Sequence, residues 1–330
     1  MKKILCNIQQ IYGRPATYLK PLRDAGFEIV MNEKGRLLTE DELIERLPGV
    51  YATIAGGEPY TERVFERSKD LEVVARFGVG WDRVDVDAAT RHGIAVAMAF
   101  GANHESVADG ALALALGLSV NLLAQHNLVA KGGWGRGFHP GFWGRTMGIV
   151  GLGRIGRAVA RRCQGFAMRV IAYDTAPDRD YARDNNIELL ALDRLLAEAD
   201  FVSLHTPILP ETRNLIGARE LGLMKPTAVI INTARGGLID EVALHKALTE
   251  RRIAGAGLDV FAEEPPRGSP LLALDNVILA PHAIAMDEAA ERLMAERCVA
   301  NILAIHSGRD PGPGFVLNPQ VLAAKGATHV

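Results

Sequence analysis

Residues 147–160 read MGIVGLGRIGRAVA: a short apolar run, then Gly151, Gly153 and Gly156 at G-x-G-x-x-G spacing, then a helical pattern. Few short patterns restrict a fold so tightly. The first glycine permits a tight turn out of a strand, the second lets a pyrophosphate approach the backbone, and the third lets the helix pack closely on that strand. The helix start offers unpaired N–H groups and the positive end of a dipole to phosphate oxygens. A glycine turn alone can be only a turn. Here a second strand-like run, Arg169–Tyr173, leads into Asp174, and 174 − 156 places that acid 18 residues past the last glycine. The acid that binds a ribose 2′-OH is expected about 20 residues on. The segment reads as a dinucleotide site, with Gly151, Gly153, Arg154, Ile155, Gly156 and Asp174 as candidate contacts.

Short β-branched runs alternate with helical patterns along the chain, the signature of parallel α/β units. Ahead of the glycine motif, strands are expected at 3–8, 28–31, 52–55, 72–76 and 95–97, with helical stretches near 15–25, 41–46, 61–68 and 86–91. A long helical pattern from about 103 to 131 and a Gly- and Trp-rich loop at 131–145 lead into the motif. Strands are expected again at 201–204, 228–232, 254–259 and 277–279, and a final helix at 287–305. With 330 residues, the chain exceeds the about 250–300 that one core usually supports. The simplest division inserts a nucleotide domain, 101–286, into a domain built from 1–100 and 287–330, with substrate held in the cleft.

A net charge of −2 gives no electrostatic reason to expect nucleic acid or an anionic membrane as partner. Cys6, Cys163 and Cys298 are far apart and form no C-x-x-C, so they read as reduced thiols of a cytoplasmic protein, and no metal site is expected. The apolar run at the N-terminus is too short for a signal peptide. The segment 111–123, interrupted by Ser119 and Asn121, falls short of the roughly 18 apolar residues a membrane span needs and reads as a buried helix. Trp81, Trp134 and Trp143 read mainly as packing residues, with a cleft or dimer interface as the alternative.

Three groups near expected strand ends suit hydride transfer to a 2-oxo acid. That reaction needs a cation for the carboxylate, an acid to protonate the developing alkoxide, and a partner for that acid. Arg235 lies in INTARGGLID after an apolar run, and its planar fork suits a carboxylate. Glu264 lies in DVFAEEPP, five residues past Asp259, and could fix the tautomer of a histidine. His282 follows VILAP. Singly, each has a plain alternative: a surface arginine in a turn, a solvated acidic turn, a structural histidine. Their weight is joint.

In order, GLGRIG, NTARGG, LDVFAEEP and PH closely resemble the D-isomer-specific 2-hydroxyacid dehydrogenases, the family of phosphoglycerate dehydrogenase, glyoxylate/hydroxypyruvate reductase and D-lactate dehydrogenase. The resemblance covers nearly the whole chain, including ARFGVGWDRVDVDAATRHGIAV (75–96), NHESVADGALAL and LHTPILPETRNLI (204–216). It implies an α/β fold of two Rossmann-like domains, one flavodoxin-like and one NAD-binding, with parallel sheets and an interdomain cleft. It implies that Arg235 binds and polarises the oxo acid, that His282 donates the proton while NADH delivers hydride to C2, and that Glu264 holds His282. Val79 and Gly80, with Gly57, would take the carboxylate through backbone. Thr206, Pro207, Thr233 and Ala234 would line the cofactor, and Asp259 would contact its carboxamide. Asp174 favours NAD over NADP because its charge repels a 2′-phosphate, although Arg179 lies nearby. A homodimer is implied as well.

Departures bear on the substrate. The chain reads HAIAMDE after the histidine, where the family often has Gly-Ser/Ala-small-Thr. Its loop Ala55-Gly56-Gly57-Glu58 carries an acid where phosphoglycerate dehydrogenases tend to carry arginine, which favours an unphosphorylated 2-oxo acid. The alternatives are an NAD(H)-sensing corepressor-like binding protein of the same fold and a phosphite-type dehydrogenase. The formate branch carries Gln where this chain has Glu264.

Overall fold

A computed structural model describes residues 1–8 and 16–326. Pro15, at the head of one expected helical stretch, and residues 327–330 lie outside the described residues. The chain divides into two compact units, one of Met1–Asn103 with Glu288–Val330 and one of His104–Asp287.

In the first unit, strands β1 (Lys3–Cys6), β2 (Glu28–Met31), β3 (Val50–Ala55), β4 (Val73–Arg76) and β5 (Ala95–Met98) form a parallel sheet ordered β2-β1-β3-β4-β5. That is the flavodoxin-like order. Every residue of β3 is buried, because a parallel sheet is covered by helices on both faces and its central strands meet no water.

In the second unit, strands β6 (Thr146–Val150), β7 (Arg169–Tyr173), β8 (Glu188–Leu189), β9 (Phe201–Leu204), β10 (Val229–Asn232), β11 (Gly255–Leu258) and β12 (Val277–Leu279) form a parallel sheet ordered β12-β11-β10-β9-β6-β7-β8. Counted from β6, this is the dinucleotide-binding order 3-2-1-4-5-6 with one further strand at the edge. The order reverses between β6 and β9, where such sheets place ligands at the carboxyl ends of the strands. Alternation along β10 feeds two cores: Ile230 packs with Leu204, Leu244 and Leu258 on one face, and Val229 and Ile231 pack with Leu114, Ile149 and Val159 on the other. Each such fully buried aliphatic side chain contributes roughly 1.5–3 kcal/mol. Gly257 lets the helix His104–Ser119 lie close on β11, since a methyl group there would stand 2.8 Å from Leu114 Cβ.

Three expectations are corrected. The helical pattern at 103–131 is two helices, His104–Ser119 and Leu122–Ala130, bent by 61°. Asn121 between them takes a left-handed conformation at φ 49°, which asparagine tolerates better than most residues and which ends a right-handed helix. The run 111–123 is accordingly buried only through Ser119, and Leu122 and Leu123 are 60% and 48% exposed. Trp134 and Trp143 are 81% and 77% exposed and do not pack on the core, because their glycine-rich loop forms no helix or strand that could turn them inward. The two-residue β8 was not foreseen, as so short an edge strand has no readable period. Among the described residues no single helix is long and apolar enough to cross a membrane.

Candidate active site

The three motif glycines occupy three different environments. Gly151 leaves β6 at φ +96°, and a methyl group on it would stand 2.7 Å from the His205 carbonyl oxygen past the end of β9. Gly156 faces back on the turn: its methyl group would come within 2.1 Å of the Gly151 carbonyl oxygen and 3.0 Å of Ile149. Nothing lies within 4 Å of the Cβ position at Gly153, which precedes the helix Arg154–Gly165 with no side chain capping it. An open glycine at an uncapped helix start fits a phosphate group. Asp174, just past β7, accepts from the Leu152 N–H at 2.7 Å and the Ala176 N–H at 2.9 Å, which sets its carboxylate against the glycine turn. Thr206 and Pro207 follow β9, and Thr233 and Ala234 follow β10. The buried Thr233 hydroxyl has no hydrogen-bond partner, so the sheet edge holds an orphaned polar atom that a nicotinamide ring's amide can satisfy. The residues present fit a dinucleotide.

The three chemical candidates leave the same sheet edge, Arg235 after β10, Glu264 after β11 and His282 after β12. Glu264 divides its two oxygens. Oε1 accepts from the Phe261 N–H at 3.1 Å, and Oε2 lies 2.8 Å from His282 Nδ1. An ionised carboxylate only accepts, so Nδ1 donates and Nε2 is left to exchange a proton. Burial raises the Glu264 carboxyl, but His282, the Phe261 N–H and the Arg235 charge outweigh it and hold the group below its ordinary value. The Arg235 charge is thus felt at the Glu264 carboxylate.

Backbone holds these side chains in place. His282 sits at φ 54°, a conformation a non-glycine residue seldom adopts. The buried Asp259 secures the segment behind it, accepting from the N–H groups of Ala283 at 3.0 Å and Ile284 at 3.2 Å through one oxygen. Burial pushes the Asp259 carboxyl up, against those two N–H groups. The helix Glu241–Thr249, capped by Asp240, turns Glu241 Oε1 onto the Ala262 N–H at 2.6 Å and so pins the Glu264 loop.

One residue that matters here was not singled out from sequence. Asn232, buried at the end of β10, donates to the Arg235 carbonyl at 2.8 Å and accepts from the Ala234 N–H at 3.1 Å, closing the turn that carries Arg235. An asparagine at a strand end before small residues is an Asx-turn signal that could have found it. Gly236 is packed under the Phe261–Ala262 backbone, where a methyl group would stand 1.9 Å from the Phe261 carbonyl carbon. The glycine thus serves a close approach of the Arg235 and Glu264 loops. In the first unit, Gly57 follows β3, and Val79 and Gly80 follow β4, all partly exposed at the carboxyl edge of that sheet.

Comparison with known proteins matches residues 112–283 to the family described as D-isomer specific 2-hydroxyacid dehydrogenase, NAD binding domain. A glyoxylate reductase of Korarchaeum cryptofilum is 44% identical over 275 residues, 81% of this chain and 82% of that protein. A D-3-phosphoglycerate dehydrogenase of Methanocaldococcus jannaschii is 42% identical over 77% of this chain, which spans 49% of that longer protein. A solved structure of D-lactate dehydrogenase from Aquifex aeolicus, complexed with NAD and lactic acid, superposes with a TM-score of 0.84 at 26% identity, covering 96% of this chain and 99% of that one.

Proposed function

The chain belongs to the D-isomer specific 2-hydroxyacid dehydrogenase family and is an NAD-dependent oxidoreductase acting on a CH–OH group, and from that premise we propose that it reduces a small, unphosphorylated 2-oxo acid to the D-2-hydroxy acid. The observation that carries this reading is the 2.8 Å Glu264–His282 hydrogen bond at the same sheet edge that carries Arg235.

Bound NADH supplies the hydride. Arg235 holds the substrate through its carboxylate and carbonyl oxygens and draws charge toward the carbonyl oxygen. His282 gives the Nε2 proton to that oxygen as negative charge develops there, and Glu264 stabilises the imidazolium that serves as the acid. In the reverse direction His282 takes the proton back. The N–H groups about Gly57, Val79 and Gly80 receive the carboxylate as neutral donors. Asp259 orients the cofactor carboxamide, Thr206, Pro207, Thr233 and Ala234 line the cofactor, and Asp174 selects NAD by repelling a 2′-phosphate. The acid Glu58, where a phosphate-binding arginine would serve, supports an unphosphorylated substrate. The three cysteines, free and buried, suit a reducing cytoplasmic setting.

A turnover screen tests this reading: glyoxylate, hydroxypyruvate, pyruvate, phosphohydroxypyruvate and bulkier 2-oxo acids, each with NADH and NADPH. Rapid NADH oxidation with a small unphosphorylated acid is expected. A preference for phosphohydroxypyruvate overturns the substrate reading, and NADH binding with no turnover points instead to an NAD(H)-sensing protein.

We also propose that the chain pairs with a second copy. The helix Leu122–Ala130 has no buried residue, and Leu122, Val129, Trp134, Phe138 and Trp143 are each at least half exposed across it and the loop that follows. Apolar surface gathered in this way marks an association face, and a face that meets its own copy closes a twofold dimer. Sedimentation is expected to show a dimer; a monomer at micromolar concentration contradicts the proposal.

A further inference from the structure

The first unit holds an acid that the chemistry above does not use. Glu58 follows β3 and is 0% exposed, and among the described residues neither of its carboxyl oxygens has a partner at full hydrogen-bond geometry. The side chain is folded under its own loop: a methyl group on Gly56 would stand 3.0 and 3.1 Å from the two oxygens. An acid placed between Gly57 and Pro59 could reach water by a change of rotamer. Here it is instead sealed at the carboxyl edge of the sheet.

Beside it lies Arg76, the last residue of β4. Its Nη1 donates to the Ala55 carbonyl at 3.2 Å and the Phe77 carbonyl at 2.7 Å, so one guanidinium ties the end of β3 to the loop after β4. The same nitrogen would stand 3.6 Å from a methyl group on Gly78. A fixed positive charge therefore adjoins the loop after β4, where the N–H groups of Val79 and Gly80 are proposed above to receive the substrate carboxylate.

Resting on that reading, we propose that Glu58 is a positioning residue of the carboxylate subsite: it stays protonated when the anionic substrate binds at Val79 and Gly80, so that the Arg76 charge acts on the substrate and not on Glu58. An ionised Glu58 would cancel that charge and weaken anion binding, with no part in hydride or proton transfer. Substrate affinity and Glu58 protonation are then linked, each favouring the other.

The surroundings leave Glu58 as the group that titrates. Burial pushes its carboxyl up to about 7, against the pull of its own N–H, the Arg76 guanidinium and the Gly56 N–H. Among the described residues, the other ionisable groups facing it are the Cys6 thiol of β1, which burial pushes up to about 11, and the Tyr60 hydroxyl, which burial holds neutral. The Cys298 thiol of the helix Glu288–His306, in the field of Arg76 and Cys6, is likewise raised by burial. Of these described neighbours, Arg76 is the group charged near neutral pH. The sign follows. Below about pH 7 Glu58 is neutral and the anion binds well, and above it the carboxylate competes for Arg76.

Glu58→Gln keeps the shape and removes the titration. The ratio of the wild-type KM to the variant KM for the best 2-oxo acid is expected to be near one at about pH 6. It should rise about five- to tenfold by about pH 8.5, with kcat alike in both proteins. Any pH effect on the proton-transfer step is common to both enzymes and leaves the ratio untouched. A ratio independent of pH, or a loss confined to kcat, overturns the proposal. If the variant does not fold, infrared difference spectra of the wild-type NADH complex decide. Oxamate added at about pH 7.5 is expected to bring up a protonated-carboxyl band, since binding raises the protonated fraction. No such band overturns the proposal. A wild-type enzyme that turns over no 2-oxo acid would instead refute the functional reading on which it rests.

Discussion

His282→Gln is expected to lower kcat for 2-oxo acid reduction about 100- to 10,000-fold, the range that a positioned acid contributes, while NADH affinity stays as in the wild type. The expectation follows from how the imidazole is held. Nδ1 is committed to Glu264 at 2.8 Å, so Nε2 is the nitrogen free to exchange a proton, and glutamine has no group that exchanges one near neutrality. The cofactor's phosphates are proposed to sit at the glycine turn and the start of Arg154–Gly165, a different part of the same sheet edge. Steady-state turnover and NADH fluorescence titration separate the two effects. Glu264 sets the acid side of the profile. Its carboxyl is held below the ordinary value, so its support of a charged His282 is present above the usual carboxylate range and is lost as pH falls through the lowered value. Wild-type turnover in His282→Gln would remove the mechanism.

Gly236→Ala is the second large effect. The added methyl group would stand 1.9 Å from the Phe261 carbonyl carbon, 2.1 Å from its oxygen and 2.3 Å from the Ala262 nitrogen. All three are backbone atoms, so no side-chain rotation relieves the clash. The two loops must part, at a cost of about 1–3 kcal/mol or more. One loop carries Arg235 and the other Glu264, so parting them misplaces the carboxylate-binding cation against the proton-transfer pair. A displacement near 1 Å costs about 100-fold in rate. Gly237→Ala is the control, because its methyl group would meet Ile208 at 3.4 Å, an ordinary contact. Thermal unfolding and kcat/KM are expected to fall together for Gly236→Ala and to stay near wild type for Gly237→Ala. Equal behaviour of the two variants would contradict the packing argument.

Much of this was legible in the sequence because the informative residues sit where local pattern is strongest. The glycine turn, Asp174, Arg235 and His282 each follow a short apolar strand, and a parallel sheet brings strand ends to one edge. Features that depend on what a residue meets far along the chain were not legible. Gly236 reads as a glycine that lets backbone come close beside Arg235, but that this backbone is Phe261–Ala262 is seen only in the fold. Asn232 reads as the tail of a strand until its amide is seen closing the Arg235 turn. Glu58 reads as a loop acid where relatives tend to carry arginine, and only the fold seals it beside Arg76. The helix break at Asn121 turns on one backbone angle, and the exposure of Trp134 and Trp143 on the absence of a partner within the chain's own core.

The central claim is that this sheet edge delivers a hydride to C2 of a small 2-oxo acid and a proton to its oxygen. Reduction of hydroxypyruvate or pyruvate with NADH deuterated at the transferring position, followed by chiral analysis and mass spectrometry of the product, tests it most directly. The account predicts the D-2-hydroxy acid with one deuterium at C2. The L-isomer, or a product without deuterium at C2, would contradict it.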